Sequence, residues 1–248
     1  MDNPLPVSVI PFLVIVATGI IVMGISVALR GFWAQTLPFR GLWSFISAPG
    51  IVVHEITHIA GCLVTGAKVK KVVLFSSEGG SVTYTSPRIP LAGNVIINTA
   101  PLFGIPLVLA CLAWLFATYL GCNLVVLIPA PVSLYGAGSL VSTAVTILYQ
   151  NLIVQFNGWF LLYLYLTVSL VLALSPSLQD IRNAAPGVFI LTVLGLLIIA
   201  GNIPFAITFV SWMMNLFATG LALGLIFELI ALIVTIPVGV IYAIQHGG

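Results

Sequence analysis

Long apolar stretches separated by short polar or Pro- and Gly-bearing breaks run through most of this chain. A first run from Pro6 to Leu29 ends at Arg30, and GFWAQTLPFRG follows as a Trp- and Arg-bearing connection suited to a membrane surface. A second run starts near Leu42 and is interrupted by Pro49-Gly50. Pro suits a first helical turn, so Ser47 is expected to cap a fresh helix running from Pro49 to about Thr65. Lys68 to Phe75 and Ser81 to Thr85, rich in β-branched and aromatic residues, flank Ser-Ser-Glu78-Gly79-Gly80 and predict a β-hairpin. Pro90 to Leu120 predicts a third span, with Asn94 and Asn98 on one face and a kink at Pro101. Residues 121 to 156 are apolar but broken by Pro129, Pro131, Gly136 and Gly138, which favours a re-entrant or surface-lying segment. Asn157 to Leu174 and Pro186 to Ile203 predict two more spans, joined by a connection holding Asp180 and Arg182, and Phe205 to Ile244 holds a sixth. The expected fold is an all-α polytopic membrane protein, one integral membrane domain over residues 1–248 with its core at 42–182. It has about six transmembrane helices and one short β-hairpin after the second.

Composition sets the solvent. The chain is 61% hydrophobic and 5% charged, and no charged residue occurs between Ile89 and Gln179. Runs of about twenty apolar residues match the hydrocarbon thickness of a bilayer, so lipid is an expected partner. The N-terminal run lacks a basic flank and is longer than a signal-peptide core, so it reads as a retained first span. Four of the seven basic residues, Lys68, Lys70, Lys71 and Arg88, follow the second span. The positive-inside bias places that loop, both termini and the side nearest Asp180 in the cytosol, with Arg30 and Arg40 weighing the other way. So few basic residues, explained by topology, predict no nucleic-acid binding. Cys62, Cys111 and Cys122 show no metal or redox spacing and read as apolar filling.

Against this background stands His54-Glu55-Ile56-Thr57-His58, which holds two of the three histidines and one of the three glutamates. By chance this pattern arises roughly once in a couple of thousand such chains. On a helix, positions i and i+4 lie on one face, so the two imidazoles can chelate one metal ion with Glu55 beside it. Cys62 continues that face but lies about 12 Å along the axis from His54, too far to share an ion. Burial of these groups without a partner would cost several kcal/mol each, about the strongest argument that they have one.

A catalytic zinc takes about three protein ligands and leaves one position open. Asp180, at the end of a span on the side of the histidines, is the leading third ligand. Glu228 in the final apolar run, Glu78 and His246 are the alternatives. Asn94 and Asn98 are candidate substrate-binding or oxyanion-stabilising groups, or else bonds between helices. Lys71, Val72, Val73, Leu74 and Phe75 form a candidate edge strand for binding an extended substrate by β-addition.

His-Glu-x-x-His within a span, a β-like segment just after it, an Asp after a later span and about six spans together resemble the site-2 protease family of intramembrane zinc metalloproteases. The resemblance covers Ser47 to Asp180 and is tightest at His54, Glu55 and His58. It implies a zinc endopeptidase with one Zn2+ per chain that cuts a peptide bond in or near a transmembrane segment of a protein or peptide substrate. His54, His58 and Asp180 would hold the metal, and Glu55 would take a proton from water and pass it to the leaving amine. A metal-binding but non-hydrolytic membrane protein is the competing expectation: a zinc transporter, or a degenerate protease that only binds transmembrane helices.

Overall fold

The structure, a computed structural model, describes residues 9–37, 40–74, 80–124, 142, 144–174, 177–201, 208, 224–225, 227–240, 242 and 244. The chain is mostly helical: α1 (Val9–Thr36), α2 (Arg40–Thr65), α3 (Pro90–Tyr119), α4 (Ala144–Val154), α5 (Gly158–Leu172), α6 (Leu178–Ala200) and α7 (Phe227–Val240). Between α2 and α3, β1 (Val69–Val73) and β2 (Ser81–Tyr84) pair antiparallel, with Val72 opposite Val82 and Val73 opposite Ser81. Among the described residues, Ala17–Thr36, Gly41–Thr65 and Pro90–Tyr119 are long and apolar enough to cross a membrane. Exposed Leu107 and Trp114 on α3 and Phe189 and Leu197 on α6 give the apolar outer surface that lipid would cover.

The helix α2 is central, packing against α3 on one side and α5 on the other, while α3 also holds α6. The core lies around α5, whose Phe160, Tyr163, Val168, Leu170 and Val171 are buried against α1, α3 and α7. Polar ties fix α1 within the bundle: Ser26 Oγ donates to Val171 O at 2.8 Å, and Trp33 Nε1 donates to Thr235 Oγ1 at 2.9 Å.

Three boundaries differ from expectation, each for a physical reason. The connection expected after Arg30 is helical as far as Thr36. No fresh helix begins at Pro49: α2 runs unbroken through it, and Ser47 Oγ donates to Trp43 O at 2.8 Å instead of capping. The proline lacks the N–H that would bond Phe45 O, and its neighbour α5 repairs the deficit. Tyr165 Oη donates to Phe45 O at 2.7 Å, and the Gly50 amide donates to Ser169 Oγ at 2.8 Å. Finally, α6 begins at Leu178, well before Pro186, so Asp180 lies in its first turn and not in a connection. Of the expected re-entrant segment, 125–141 lies outside the described residues, and α4 ends in a π-helical turn at Gln150–Val154. Residues 205–207 and 209–223 of the expected sixth span, and Phe75 and Glu78 of the hairpin turn, also lie outside them.

The α2–α5 crossing depends on Gly50, where a Cβ would stand 2.0 Å from the Ser169 carbonyl oxygen. Gly50→Ala must therefore separate the helices, and we expect it to lower stability in detergent by about 1–3 kcal/mol. Gly24→Ala, with nothing within 4 Å of the new methyl, should leave the unfolding transition unchanged or slightly raised.

Candidate metal centre

His54 and His58, one helical turn apart on α2, face each other with ring centroids 4.8 Å apart and planes at 72°. They lie about 10–17 Å along the axis from Thr65, inside the bundle and below the hairpin. His58 Nε2 is 3.1 Å from His54 Nε2. Asp180 closes the triangle from α6, with Oδ1 3.5 Å from His58 Nε2 and Oδ2 3.8 Å from His54 Nε2. Among the described residues these three bring their ligand atoms together, all within 4.8 Å of one another.

The other nitrogen of each ring reveals the state of this triangle. His54 Nδ1 donates to Ala173 O at 2.6 Å, and His58 Nδ1 donates to Ile97 O at 2.7 Å. A carbonyl can only accept, so each Nδ1 carries a proton, and in the neutral ring Nε2 then presents its lone pair to the centre. With both rings neutral, two lone pairs and a carboxylate meet in one small space, an arrangement that a metal ion satisfies at once. Zinc–nitrogen and zinc–oxygen bonds of about 2.0–2.2 Å at tetrahedral angles put ligand atoms about 3.3–3.6 Å apart, close to the spacing here. The residues fit a zinc ion, and the two carbonyls are the outer-shell acceptors that fix a ligating imidazole.

Both carbonyls are free because the helices cannot use them. Ala173 caps the end of α5, where the last carbonyls lack intrahelical donors. Ile97 stands four residues before Pro101, which has no N–H to give it. Pro101 in the sequence was therefore the legible sign of a vacant acceptor on α3.

Asp180 is aimed by its own helix end. Ser177 precedes α6 and donates to Asp180 Oδ2 from its amide at 2.8 Å and from Oγ at 2.6 Å, while Asp180 N donates back to Ser177 Oγ at 3.1 Å. This reciprocal capping pair satisfies orphan donors of the first turn and leaves Oδ1 directed at His58. Capping and ligand geometry coexist in one carboxylate.

Glu55 is buried and lines a cavity of about 90 Å³ with His54, Ala173, Ser177, Gly80 and Arg30. That volume accommodates water beside the metal triad. Gly80, the residue just before β2, lies on the Glu55 carboxylate: a Cβ there would stand 2.6 Å from Glu55 Cγ and Oε1. A larger residue there would have to displace the Glu55 side chain, a long-range constraint invisible in the hairpin's own sequence.

The remaining candidates fall in different places. Lys71, Val72 and Val73 lie on β1, which among the described residues pairs only with β2 and so leaves its other edge open; Leu74 follows, half-buried. Asn98 is buried, and its Nδ2 donates to Tyr84 Oη at 2.9 Å and to Asn94 O at 2.6 Å, so both its donor hydrogens are engaged within the protein. Asn94 is half-buried on the same helix. Glu228 is buried in α7, and among the described residues neither of its oxygens has a hydrogen-bond partner and it is not part of the metal cluster. His246 lies outside the described residues, and Cys62 packs with Ala67 and Ile97 in a small apolar cluster. In comparisons with protein-family models, curated proteins and solved structures, nothing matches this chain.

Purified protein should carry about one zinc per chain. Elemental mass spectrometry should find most of it gone in Asp180→Ala and retained in Glu228→Gln; equal zinc in Asp180→Ala would exclude that carboxylate as a ligand. Pro101→Ala returns an N–H that competes for Ile97 O, and we expect zinc affinity to fall by about tenfold while α3 itself becomes more stable.

Proposed function

We propose that this chain is an intramembrane zinc metalloprotease of the site-2 protease type that hydrolyses a peptide bond in or near a transmembrane segment of a membrane protein. The observation that carries this reading is the placement of Glu55 in the cavity beside a metal triad whose ligand tautomers are already set. A site built only to store or pass an ion has no need of a buried carboxylate next to, but outside, the ligand set. The resemblance of His54-Glu55-x-x-His58 and the distal Asp180 to the family supports the same reading.

Zinc bound by His54, His58 and Asp180 would supply Lewis acidity toward the scissile carbonyl and acidify the attacking water. Glu55 accepts that water's proton and delivers it to the departing amine, so the new C–O bond and the broken C–N bond balance with one proton transferred. His54 and His58 keep their rings oriented through Ala173 O and Ile97 O, and Ser177 keeps Asp180 turned inward. Helical substrates hide their carbonyls in backbone hydrogen bonds, so the target segment must unwind before attack. The edge of β1 that stays unpaired among the described residues supplies backbone partners for such an extended segment at Lys71, Val72 and Val73. We place about six spans in the bilayer and the hairpin on the cytosolic side, because Lys68, Lys70, Lys71 and Arg88 cluster there.

Glu55→Gln tests this reading. In liposomes holding a pool of single-span peptides, new termini should appear with wild type and fall by about 10²–10⁴-fold in the variant, with zinc content unchanged. Full cleavage by Glu55→Gln would overturn the assignment, and loaded wild type that cuts nothing would favour a non-hydrolytic metalloprotein.

A further inference from the structure

The carboxylate of Asp180 comes from a helix that must be held at the right height against α2, and a hydrogen-bonded bridge centred on buried Asn98 does this across three elements. Tyr84 on β2 and Asn98 on α3 bond reciprocally: Asn98 Nδ2 donates to Tyr84 Oη at 2.9 Å and Tyr84 Oη donates to Asn98 Oδ1 at 3.3 Å. Asn183 on α6 then donates from Nδ2 to the same Asn98 Oδ1 at 3.3 Å. Gln179 Nε2 donates to Asn183 Oδ1 at 2.8 Å, fixing which way that amide points. Asn183 follows Asp180 by three residues, so the two share a face of α6. Asn98 in turn follows Ile97, whose carbonyl holds His58.

We propose that Tyr84, Asn98 and Asn183 are positioning residues that tie the placement of Asp180 to the hairpin; the inference rests on the metal reading above. No member is a ligand or touches Glu55. Together they span from the strand paired with the open edge to the first turns of α6. Asn98, barely accessible at 1%, has its amide hydrogens on Tyr84 and Asn94 and its oxygen shared by Tyr84 and Asn183. With Asn98 buried at its centre the network holds one arrangement, because leaving that amide unmatched is costly. A shift of β2 that follows loading of the β1 edge is therefore felt at α6, and the metal carboxylate registers whether the hairpin is in place.

The test uses full-length protein in detergent. Zinc affinity is read by competition with a chromophoric chelator, and amide hydrogen exchange is followed across residues 178–183. Tyr84→Phe, which removes only the hydroxyl, and Asn183→Ala should each weaken zinc binding by about tenfold and speed exchange in the first turns of α6. The double variant should lose less than the sum of the two, because both cut one bridge. Trp33→Phe, which removes the distant α1–α7 bond to Thr235, should lower thermal stability yet leave zinc affinity and α6 exchange unchanged. Unchanged zinc affinity in both Tyr84→Phe and Asn183→Ala would overturn the proposal. Should wild type take up no zinc, the metal centre itself falls, and the exchange readout alone decides whether the hairpin restrains α6.

Discussion

The constraint on which this structure depends is a shortage of hydrogens at its centre. Two imidazole Nε2 atoms and a carboxylate converge inside the protein, and in the neutral rings those nitrogens carry no hydrogen. Each imidazole proton is committed outward to a backbone carbonyl, and the carboxylate's other oxygen is committed to Ser177. Such neutral rings and a carboxylate repel one another until positive charge, a proton or a metal ion, joins them. The architecture can be understood as the means of enforcing that arrangement: α2 supplies the histidines, α5 and α3 supply the carbonyls that orient them, and α6 brings the acid.

Supplying carbonyls in an apolar medium is difficult, because helices consume their own. The bundle solves this twice by the same means. Pro101 frees Ile97 O for His58, and Pro49 frees Phe45 O for Tyr165. The first vacancy orients a histidine of the candidate metal site and the second joins α2 to α5, next to the crossing at Gly50. Where the helix itself ends, at Ala173, no proline is needed. Several polar contacts between the described helices thus use a backbone group that local structure has left over.

What was legible in the sequence follows from the range of the interactions involved. The extent of α3 and the existence of α2 came from apolar length, and the pairing of His54 with His58 came from helical spacing, all of them local properties. Asp180 was reached through its place relative to the spans, although its helical setting was missed. The signal for that setting, Ser177 three residues ahead of it, is a capping pattern that the neighbouring Ser-Pro obscured. The continuity of α2 through Pro49 was not legible, because it depends on Tyr165 and Ser169 more than a hundred residues away. Gly80 against Glu55, and the bridge from Tyr84 to Asn183, are illegible for the same reason. Each is a contact that no local pattern announces.

The vacant acceptor at Ile97 also bears on the order of assembly. Helices in a bilayer form individually and dock afterwards. A carbonyl that Pro101 has left unclaimed is already waiting when α2 arrives, so His58 can be locked without unwinding a turn of α3. A metal centre made this way requires no helix to give up a bond it once held. Its assembly can be late and reversible without reopening the helices that carry it.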